Sequence, residues 1–134
     1  MGLGRVLVVD DEADIRKSVR MILTKAGYDV IEAEDGEKGI AAVKSGDNPL
    51  LLNTIICDLQ MPKINGMEAI VYFRSQFPSV PVIVLTGHGT IQNATTLFKQ
   101  GVVEFLTKPI EAAKLTTAVS KAVKGSGYKD DFKT

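Results

Sequence analysis

The chain has 134 residues, which is the size of one domain and leaves no room for a second. Its 45% hydrophobic content is enough for one core. Lys and Arg number 16, and so do Asp and Glu, which gives a formal net charge of +0. This balance argues against a nucleic-acid-binding surface and against a basic face attracted to membranes. No stretch approaches the length of a membrane span, and no secretory signal precedes the first strand.

Cys57 is the only cysteine, so an internal disulfide is excluded. A single cysteine inside an apolar strand is typical of a buried small hydrophobe rather than a reactive thiol. This usage fits a reducing compartment, and together with the absence of a signal or span it predicts a cytoplasmic protein.

Apolar runs of strand length alternate with amphipathic segments five times along the chain. Helical segments carry apolar residues three and four positions apart, whereas the strand segments have no such period. The predicted strands cover residues 5–10, 29–33, 54–58, 82–85 and 103–106. The predicted helices follow them, the third over 66–77 and the fourth over 90–99. This alternation predicts an α/β domain with a parallel sheet covered by helices on both faces.

Local signals mark several helix ends. Gly27 is expected to end the first helix, and Asp35 is expected to cap the second at its N-terminus. The fifth helix begins near Ala112 and is predicted to stop at Gly125-Ser126-Gly127. We therefore expect one domain over residues 1–124 and a flexible tail or the start of a linker over 125–134.

Five residues suited to phosphoryl chemistry come at the ends of predicted strands. Asp10 and Asp11 end the first strand, Asp58 the third, Thr86 the fourth and Lys108 the fifth. In an open parallel sheet, ligands bind beyond the carboxyl ends of the strands. The five side chains are therefore predicted to form one site.

The chemistry of such a site follows from the residue types. Three carboxylates need a cation, and hard oxygen ligands suit Mg²⁺, which accepts phosphate oxygens to complete its octahedron. An aspartate can act as the nucleophile that takes a phosphoryl group, and Asp58 is the best candidate. Lys108 supplies a positive charge for the phosphoryl oxygens, and the Thr86 hydroxyl can donate a hydrogen bond to one of them.

An ordered set of short motifs resembles the receiver domain of two-component response regulators. The set spans Arg5 to about Lys124, nearly the whole chain, and its order and approximate spacing make it specific. The matching elements are Val8-Val9-Asp10-Asp11-Glu12, Cys57-Asp58-Leu59-Gln60-Met61-Pro62, Asn65-Gly66, Leu85-Thr86-Gly87 and Lys108-Pro109. The resemblance implies a flavodoxin-like (βα)5 doubly wound parallel sheet with strand order 2-1-3-4-5.

The resemblance also assigns roles in phosphoryl transfer. It implies that Asp58 accepts a phosphoryl group from a histidine kinase or a phosphotransfer protein. Asp11, Asp58 and the main-chain carbonyl of Gln60 would ligate Mg²⁺, with Asp10 helping through water. Thr86 and Lys108 would sense the phosphoryl group, and Lys108-Pro109 is expected to be cis.

The implied output is a change of surface. Thr86 would move toward the phosphoryl group while Phe105 turns inward; the alternative for Phe105 is fixed core packing. The surface made by predicted helix 4, strand 5 and helix 5 would then bind a downstream effector, the chain's own output domain or a second copy. Gln60 and His88 would tune the access of water to the phosphoryl group, unless His88 is merely a solvated loop residue.

Two other functions compete with this phosphorylation-controlled switch. A receiver-like domain can work without phosphorylation, but such a domain has no need of the full acid set and lysine. A Mg²⁺-dependent phosphatase with an aspartyl nucleophile usually places a second carboxylate two residues later as general acid, and this chain has Gln60 there. We therefore expect a signalling phosphoacceptor rather than an enzyme, with at most self-phosphorylation and autodephosphorylation.

The connection over residues 48–53 is longer and more apolar than this family usually shows. It is expected to pack under helix 2 or to form part of a contact surface.

Overall fold

The computed structural model describes residues 2–61, 66–87 and 94–131, and the side chains of these residues except 94 and 125–131. Within these ranges, strands and helices alternate as the apolar pattern predicts, except that a second, short helix precedes the third strand. In chain order they are β1 (Gly4–Val9), α1 (Ala13–Lys25), β2 (Tyr28–Ala33), α2 (Gly36–Lys44), α3 (Asn48–Leu51), β3 (Leu52–Cys57), α4 (Gly66–Gln76), β4 (Val82–Thr86), α5 (Ala94–Lys99), β5 (Val102–Thr107) and α6 (Ala112–Asp131). Predicted helices 3, 4 and 5 correspond to α4, α5 and α6.

The five strands form one parallel sheet in the order β2-β1-β3-β4-β5, which confirms the expected topology. β1 is hydrogen-bonded on both sides, so that Val9 is in register with Ala33 of β2 and with Cys57 of β3. From β1 the chain adds β2 on one side and β3 on the other. The strand order therefore reverses beside β1, which opens a crevice at the carboxyl ends of β1 and β3.

Successive strand residues point to opposite faces, and each face has its own core. Leu7 and Val9 lie in the core covered by α2, α4 and α5. Val6 and Val8 lie in the core covered by α1 and α6. All four are fully buried, because β1 has a strand on each side and helices on both faces of the sheet.

The predicted helix ends are confirmed at two places. α1 ends at Lys25, and Gly27, with φ of 105°, donates its N–H to the carbonyl of Thr24. Asp35 precedes α2, and its side chain accepts a hydrogen bond from the N–H of Lys38 at 2.8 Å. The cis Lys108-Pro109 bond is also confirmed.

Residues 48–53 form a helical turn and the start of a strand. The turn α3 begins at Asn48, whose side chain donates to the carbonyl of Ala42 at 2.8 Å. Arg5 secures it from β1 with hydrogen bonds to Asp47 and Asn48 at 2.7 and 2.8 Å. Leu52 is buried, so β3 begins two residues before the predicted strand.

The prediction that Gly125-Ser126-Gly127 ends the last helix is wrong, because α6 continues to Asp131. Glycine in a helix interior costs only about 1 kcal/mol relative to alanine. A helix already fixed in the core by Leu115, Val119 and Ala122 can carry that cost. No helix among the described residues is long and apolar enough to cross a membrane.

Candidate functional site

Backbone hydrogen bonds just beyond the strands bring the predicted site residues to one edge of the sheet. The N–H of Asp10 donates to Ala33 at 3.1 Å, and the N–H of Asp58 donates to Val9 at 3.0 Å. The N–H of Lys108 donates to the carbonyl of Thr86 at 2.9 Å. These bonds extend the sheet pairing by one residue, so the ends of the strands are held at the same level.

Lys108 joins the acidic residues of this edge. Its Nζ lies 2.9 Å from Asp10 Oδ2, 3.0 Å from Glu12 Oε1 and 3.1 Å from Asp58 Oδ2. The Lys108 side chain is only 12% exposed, whereas that of Glu12 is 58% exposed. One ammonium therefore pairs with three carboxylates, two of them buried.

The two buried carboxylates are oriented by the main chain. Asp10 Oδ1 accepts a hydrogen bond from the N–H of Glu12 at 2.8 Å, and Asp58 Oδ1 accepts one from the N–H of Gln60 at 3.0 Å. Each bond runs from the residue two positions later, which is the Asx-turn arrangement. The turn after each strand thus fixes one oxygen of each carboxylate and leaves the other toward Lys108.

The burial of these charges shifts their protonation. Burial raises the pKa of Asp10, although the hydrogen bond from Glu12 and the ammonium of Lys108 oppose this effect. Burial by itself would lower the pKa of Lys108, but hydrogen bonds to Asp10 and Glu12 and the nearby charge of Asp58 outweigh it and raise that pKa. Lys108 is therefore fully charged at neutral pH.

Four carboxylates in this region are close enough to share a cation. Oxygens of Asp10, Asp11, Glu12 and Asp58 all lie within 4.8 Å of one another. Asp10 and Asp58 are buried, whereas Asp11 and Glu12 are exposed. An all-oxygen set with an open side fits a hard cation such as Mg²⁺, which keeps several waters when bound.

The remaining predicted residues lie beside this cluster or beyond the described chain. Thr86 ends β4 and is only 7% exposed, and Gln60 is exposed on the loop after Asp58. Phe105 is half-buried in β5, and its ring meets that of Phe98 edge-on, with centroids 4.9 Å apart. His88 lies outside the described residues.

Three residues of the site were missed as individual contributors. Glu12 joins the acid cluster and pairs with Lys108, and only its place next to Asp10 and Asp11 hinted at this. Arg16 donates from Nη1 to the carbonyl of Asp10 at 2.7 Å, and so ties α1 to the end of β1. A Cβ on Gly66 would lie 2.2 Å from the carbonyl oxygen of Asp58, so the start of α4 can approach the site only as glycine.

Cys57 follows the expectation for a buried strand residue. It is fully buried, and its Sγ donates a weak hydrogen bond to the carbonyl of Asp58 at 3.4 Å. Burial raises the pKa of the thiol well above its usual range, so the nucleophilic thiolate does not form at neutral pH.

Comparison with known proteins decides the family. The family profile described as response regulator receiver domain matches residues 6–120. The chain belongs to the response regulator receiver domain family. It is thus a receiver domain of two-component response regulators, as the motifs implied.

Two relatives with similar sequences are longer than this chain. The chain is 35% identical over 128 residues to the transcriptional regulatory protein GlrR of Escherichia coli, covering 96% of this chain and 28% of GlrR. It is 31% identical over 121 residues to the transcriptional regulatory protein FixJ of Bradyrhizobium diazoefficiens, covering 90% of this chain and 57% of FixJ. The sequence thus spans between about a quarter and somewhat over half of these relatives.

A solved structure agrees on the domain itself. The response regulator receiver domain protein from Clostridium thermocellum superposes with a TM-score of 0.86 at 31% identity. The match covers 93% of this chain and 98% of that one. The receiver fold therefore accounts for nearly all of the described residues.

Replacing Asp10 by Asn should stabilise this receiver domain when no divalent cation is present. Because burial raises the pKa of Asp10, its ionised form destabilises the folded state at pH 7. We expect the free energy of unfolding of Asp10→Asn at pH 7 to rise by about 1 kcal/mol, within the usual range for a stabilising substitution. The gain should shrink as the pH falls through the raised pKa, because wild-type Asp10 then becomes neutral as well.

Urea denaturation in EDTA at a series of pH values measures this effect. Asp14→Asn is the matched control, because Asp14 is exposed in the first turn of α1. A loss of stability in Asp10→Asn at pH 7 would contradict the assignment of a penalty to the buried charge.

Proposed function

We propose that this receiver domain is a phosphorylation-controlled switch whose phosphoacceptor is Asp58. The observation that carries the proposal is the placement of Asp58 in the acid cluster, 3.1 Å from the ammonium of Lys108. Membership of the receiver family supplies the class of reaction. The contacts of this chain and the resemblance to the receiver family together support the roles of the other residues.

Asp58 is better suited than Asp10 to take the phosphoryl group. Asp58 directly follows β3 in the middle of the sheet and keeps a small exposed fraction of 3%, whereas Asp10 is fully buried. Each carboxylate is bonded to the turn that follows it. A carboxylate that attacks phosphorus needs a fixed orientation and an open approach. The bond from the Gln60 N–H supports the first requirement, and the cluster's exposed members, Asp11 and Glu12, support the second.

The reaction is a transfer between two protein side chains. A carboxylate oxygen of Asp58 attacks the phosphorus of a phosphohistidine presented by a sensor histidine kinase or a phosphotransfer protein. A P–O bond forms as the P–N bond breaks, and the imidazole leaves with the electron pair and takes up a proton. The product is an acyl phosphate on Asp58.

The acid cluster supports Mg²⁺ as the cofactor. Asp11, Asp58 and the main-chain carbonyl of Gln60 would hold the ion, and Asp10 would contact it through water. When bound, Mg²⁺ supplies positive charge for the oxygens of the phosphoryl group. Among the described residues, Lys108 is the cation that pairs with the carboxylates of both Asp10 and Asp58.

Lys108 and Thr86 would read the phosphorylated state. A phosphoryl group adds negative charge and strong acceptor oxygens at Asp58, and the Lys108 ammonium can exchange a carboxylate partner for one of them. Thr86 lies at the buried end of the neighbouring strand β4, from which its hydroxyl can donate to another oxygen. Gln60 and His88 would tune how quickly water removes the group.

The readout would be a change of the surface made by α5, β5 and α6. Phe105 lies in β5 three residues before Lys108, borders a groove of about 230 Å³ toward α6 and packs edge-on against Phe98 of α5. A change at Lys108 and Thr86 can therefore alter how α5 lies on β5. A differential contact of a few kcal/mol between two conformers is enough to invert their populations.

Partners follow from the same reasoning. The upstream partner would be a sensor histidine kinase or a phosphotransfer protein, and the downstream partner an effector, an output domain of the same protein or a second copy bound through α5, β5 and α6. GlrR and FixJ are named transcriptional regulatory proteins, and this chain spans only part of each. We propose that the receiver domain occupies residues 1–124, and that residues 125–134, which begin with the last turns of α6, form a C-terminal tail or the start of a linker. We also propose that the domain contacts neither nucleic acid nor membrane, and that it acts in the cytoplasm as a signalling protein rather than an enzyme.

Phosphorylation of Asp58 is tested by intact mass. Wild-type protein incubated with Mg²⁺ and a small acyl-phosphate donor should gain one phosphoryl group, and Asp58→Asn should gain none, because the amide is not a nucleophile. Asp14→Asn should behave as wild type, since Asp14 is an exposed carboxylate outside the cluster.

The same incubation separates the competing functions. Absence of an adduct in wild type, at any donor concentration in Mg²⁺, would favour a receiver that works without phosphorylation. Rapid multiple turnover of added phosphoesters would favour a phosphatase. Either result would overturn the proposed switch.

Thr86→Ala should separate phosphorylation from its readout. The variant keeps the acid cluster and Lys108, so we expect an adduct on Asp58 within about threefold of the wild-type rate. It loses the hydroxyl that would bind the phosphoryl group, and one such hydrogen bond to a charged group is worth about 1.5–3 kcal/mol. The adduct should therefore shift backbone amide resonances of residues 102–107 far less than in wild type.

Two-dimensional NMR before and after phosphorylation makes this comparison. Thr107→Ala is a suitable control, because Thr107 is an exposed threonine at the end of the neighbouring strand β5. Full wild-type shifts in Thr86→Ala would show that Thr86 does not couple Asp58 to β5.

A further inference from the structure

Among the described residues, the helix α5 buries little of its surface against the rest of the domain. It comprises six residues, Ala94–Lys99, and among its described side chains, those of 95–99, only Leu97 is buried. Phe98 is 52% exposed and holds the helix to β5 through its contact with Phe105. A helix this short is marginal by itself, so its position depends on tertiary contacts.

Arg74 of α4 supplies contacts at the C-terminal end of α5. Its Nε donates to the carbonyl of Gln100, the residue directly after α5, at 3.0 Å. Its Nη1 donates to the carbonyl of Val80, in the turn before β4, also at 3.0 Å. The last carbonyls of a helix lack partners within the helix, and a guanidinium is well suited to bind them.

Gly101 makes room for this guanidinium. A Cβ at Gly101 would lie 2.2 Å from Arg74 Nε and 2.6 Å from its Cζ. The φ of Gly101 is 100°, a conformation that side-chain-bearing residues rarely adopt. Since β5 begins at the next residue, Arg74 contacts the single point at which α5 ends and β5 starts.

We propose that Arg74 is the fixed anchor of the output surface, which is the surface made by α5, β5 and α6. It would hold the C-terminal end of α5 and the start of β5 against α4 and the turn before β4. A rearrangement triggered at Asp58 then pivots α5 about Gly101 and is largest at the helix end that follows Thr86. The pivot rests on the proposed function, whereas the anchoring contact does not.

The direction of the pivot follows from the polarity of the fold. Thr86 and Lys108 lie at the carboxyl edge of the sheet, where the acid cluster is. Gln100, Gly101 and Val80 lie in the turns that lead into β5 and β4, which is the opposite edge. The trigger and the anchor therefore lie at opposite edges of the sheet, and the anchor holds only the C-terminal end of α5. A shift of α5 away from the anchor then becomes a rotation.

Hydrogen exchange measured by mass spectrometry without any phosphodonor tests the anchor. In Arg74→Ala, peptides covering residues 94–101 should exchange at least about tenfold faster, because the charge-assisted hydrogen bond to Gln100 is lost together with the bond to Val80 that holds Arg74 in place. Peptides from β1 and β2 should be unchanged. Arg74→Lys keeps the positive charge but lacks the planar guanidinium that donates to both carbonyls, so it should restore only part of the protection against exchange. Arg20→Ala, the removal of an exposed arginine of α1, should leave residues 94–101 as in wild type.

Two glycine variants test the same contact from the other side. Gly101→Ala places a Cβ in the space of the guanidinium, whereas Gly46→Ala carries a positive φ of 54° with nothing within 4 Å of the new Cβ. Exchange of residues 94–101 should rise in Gly101→Ala and stay at the wild-type rate in Gly46→Ala. Unchanged exchange in Arg74→Ala, or an equal rise over the whole chain, would overturn the anchor.

Addition of Mg²⁺ and beryllofluoride, an analogue of the phosphoryl group, tests the pivot. In wild type, the change in exchange should be confined to residues 86–97, and in Arg74→Ala it should spread into 98–104. A wild-type change as large at 98–104 as at 86–97 would overturn the pivot. If beryllofluoride causes no change and acyl phosphate gives no adduct on Asp58, the proposed function and the pivot fail together, while the measurement without phosphodonor still decides the anchor.

Discussion

The ammonium of Lys108 offsets part of an excess of negative charge that the sheet itself creates. Parallel strands place the residues that follow β1 and β3 side by side, so Asp10, Glu12 and Asp58 converge on one point. Lys108 lies within 3.1 Å of an oxygen of each. At an effective dielectric constant of about 20, unit charges about 4 Å apart interact by about 4 kcal/mol, which is comparable to the cost of burying such groups. The pKa of Lys108 is raised because its attraction to the three carboxylates outweighs the effect of burial, which alone would lower it.

That balance makes the site sensitive to new charge. A cation among the carboxylates competes with Lys108 for their oxygens, and a phosphoryl group on Asp58 offers the ammonium a stronger partner. Lys108 also bonds the carbonyl of Thr86 through its main chain and follows β5, which carries Phe105. Lys108, which pairs with the acid cluster, is thus attached to both β4 and β5. A change of charge at the cluster can therefore alter the surface made by α5, β5 and α6.

Much of this arrangement could be predicted from the sequence, and the reasons for the remainder are physical. The strands were predicted within about two residues, because burial on both faces leaves continuous apolar runs such as Val6–Val9. Strand order came from the family resemblance, since hydrophobic periodicity does not identify neighbouring strands. The turn α3 was missed because Asn48 and Pro49 resemble a loop. Arg5, which fixes the turn by a hydrogen bond to Asn48, lies 43 residues earlier in the sequence. Glu12 was underrated for the same reason, since its partner Lys108 is 96 residues away.

The competition between Lys108 and a divalent cation is the most direct measure of this account. Mg²⁺ affinity should be determined by calorimetric titration for wild type, for Lys108→Met and for Lys114→Met, whose lysine is exposed and pairs with Glu111 outside the cluster. Because methionine leaves the three carboxylates without their ammonium, we expect Lys108→Met to bind Mg²⁺ at least about fivefold more tightly, a change of about 1 kcal/mol. Lys114→Met should match wild type. Equal or weaker Mg²⁺ binding by Lys108→Met would contradict the claim that Lys108 and the cation neutralise the same carboxylates.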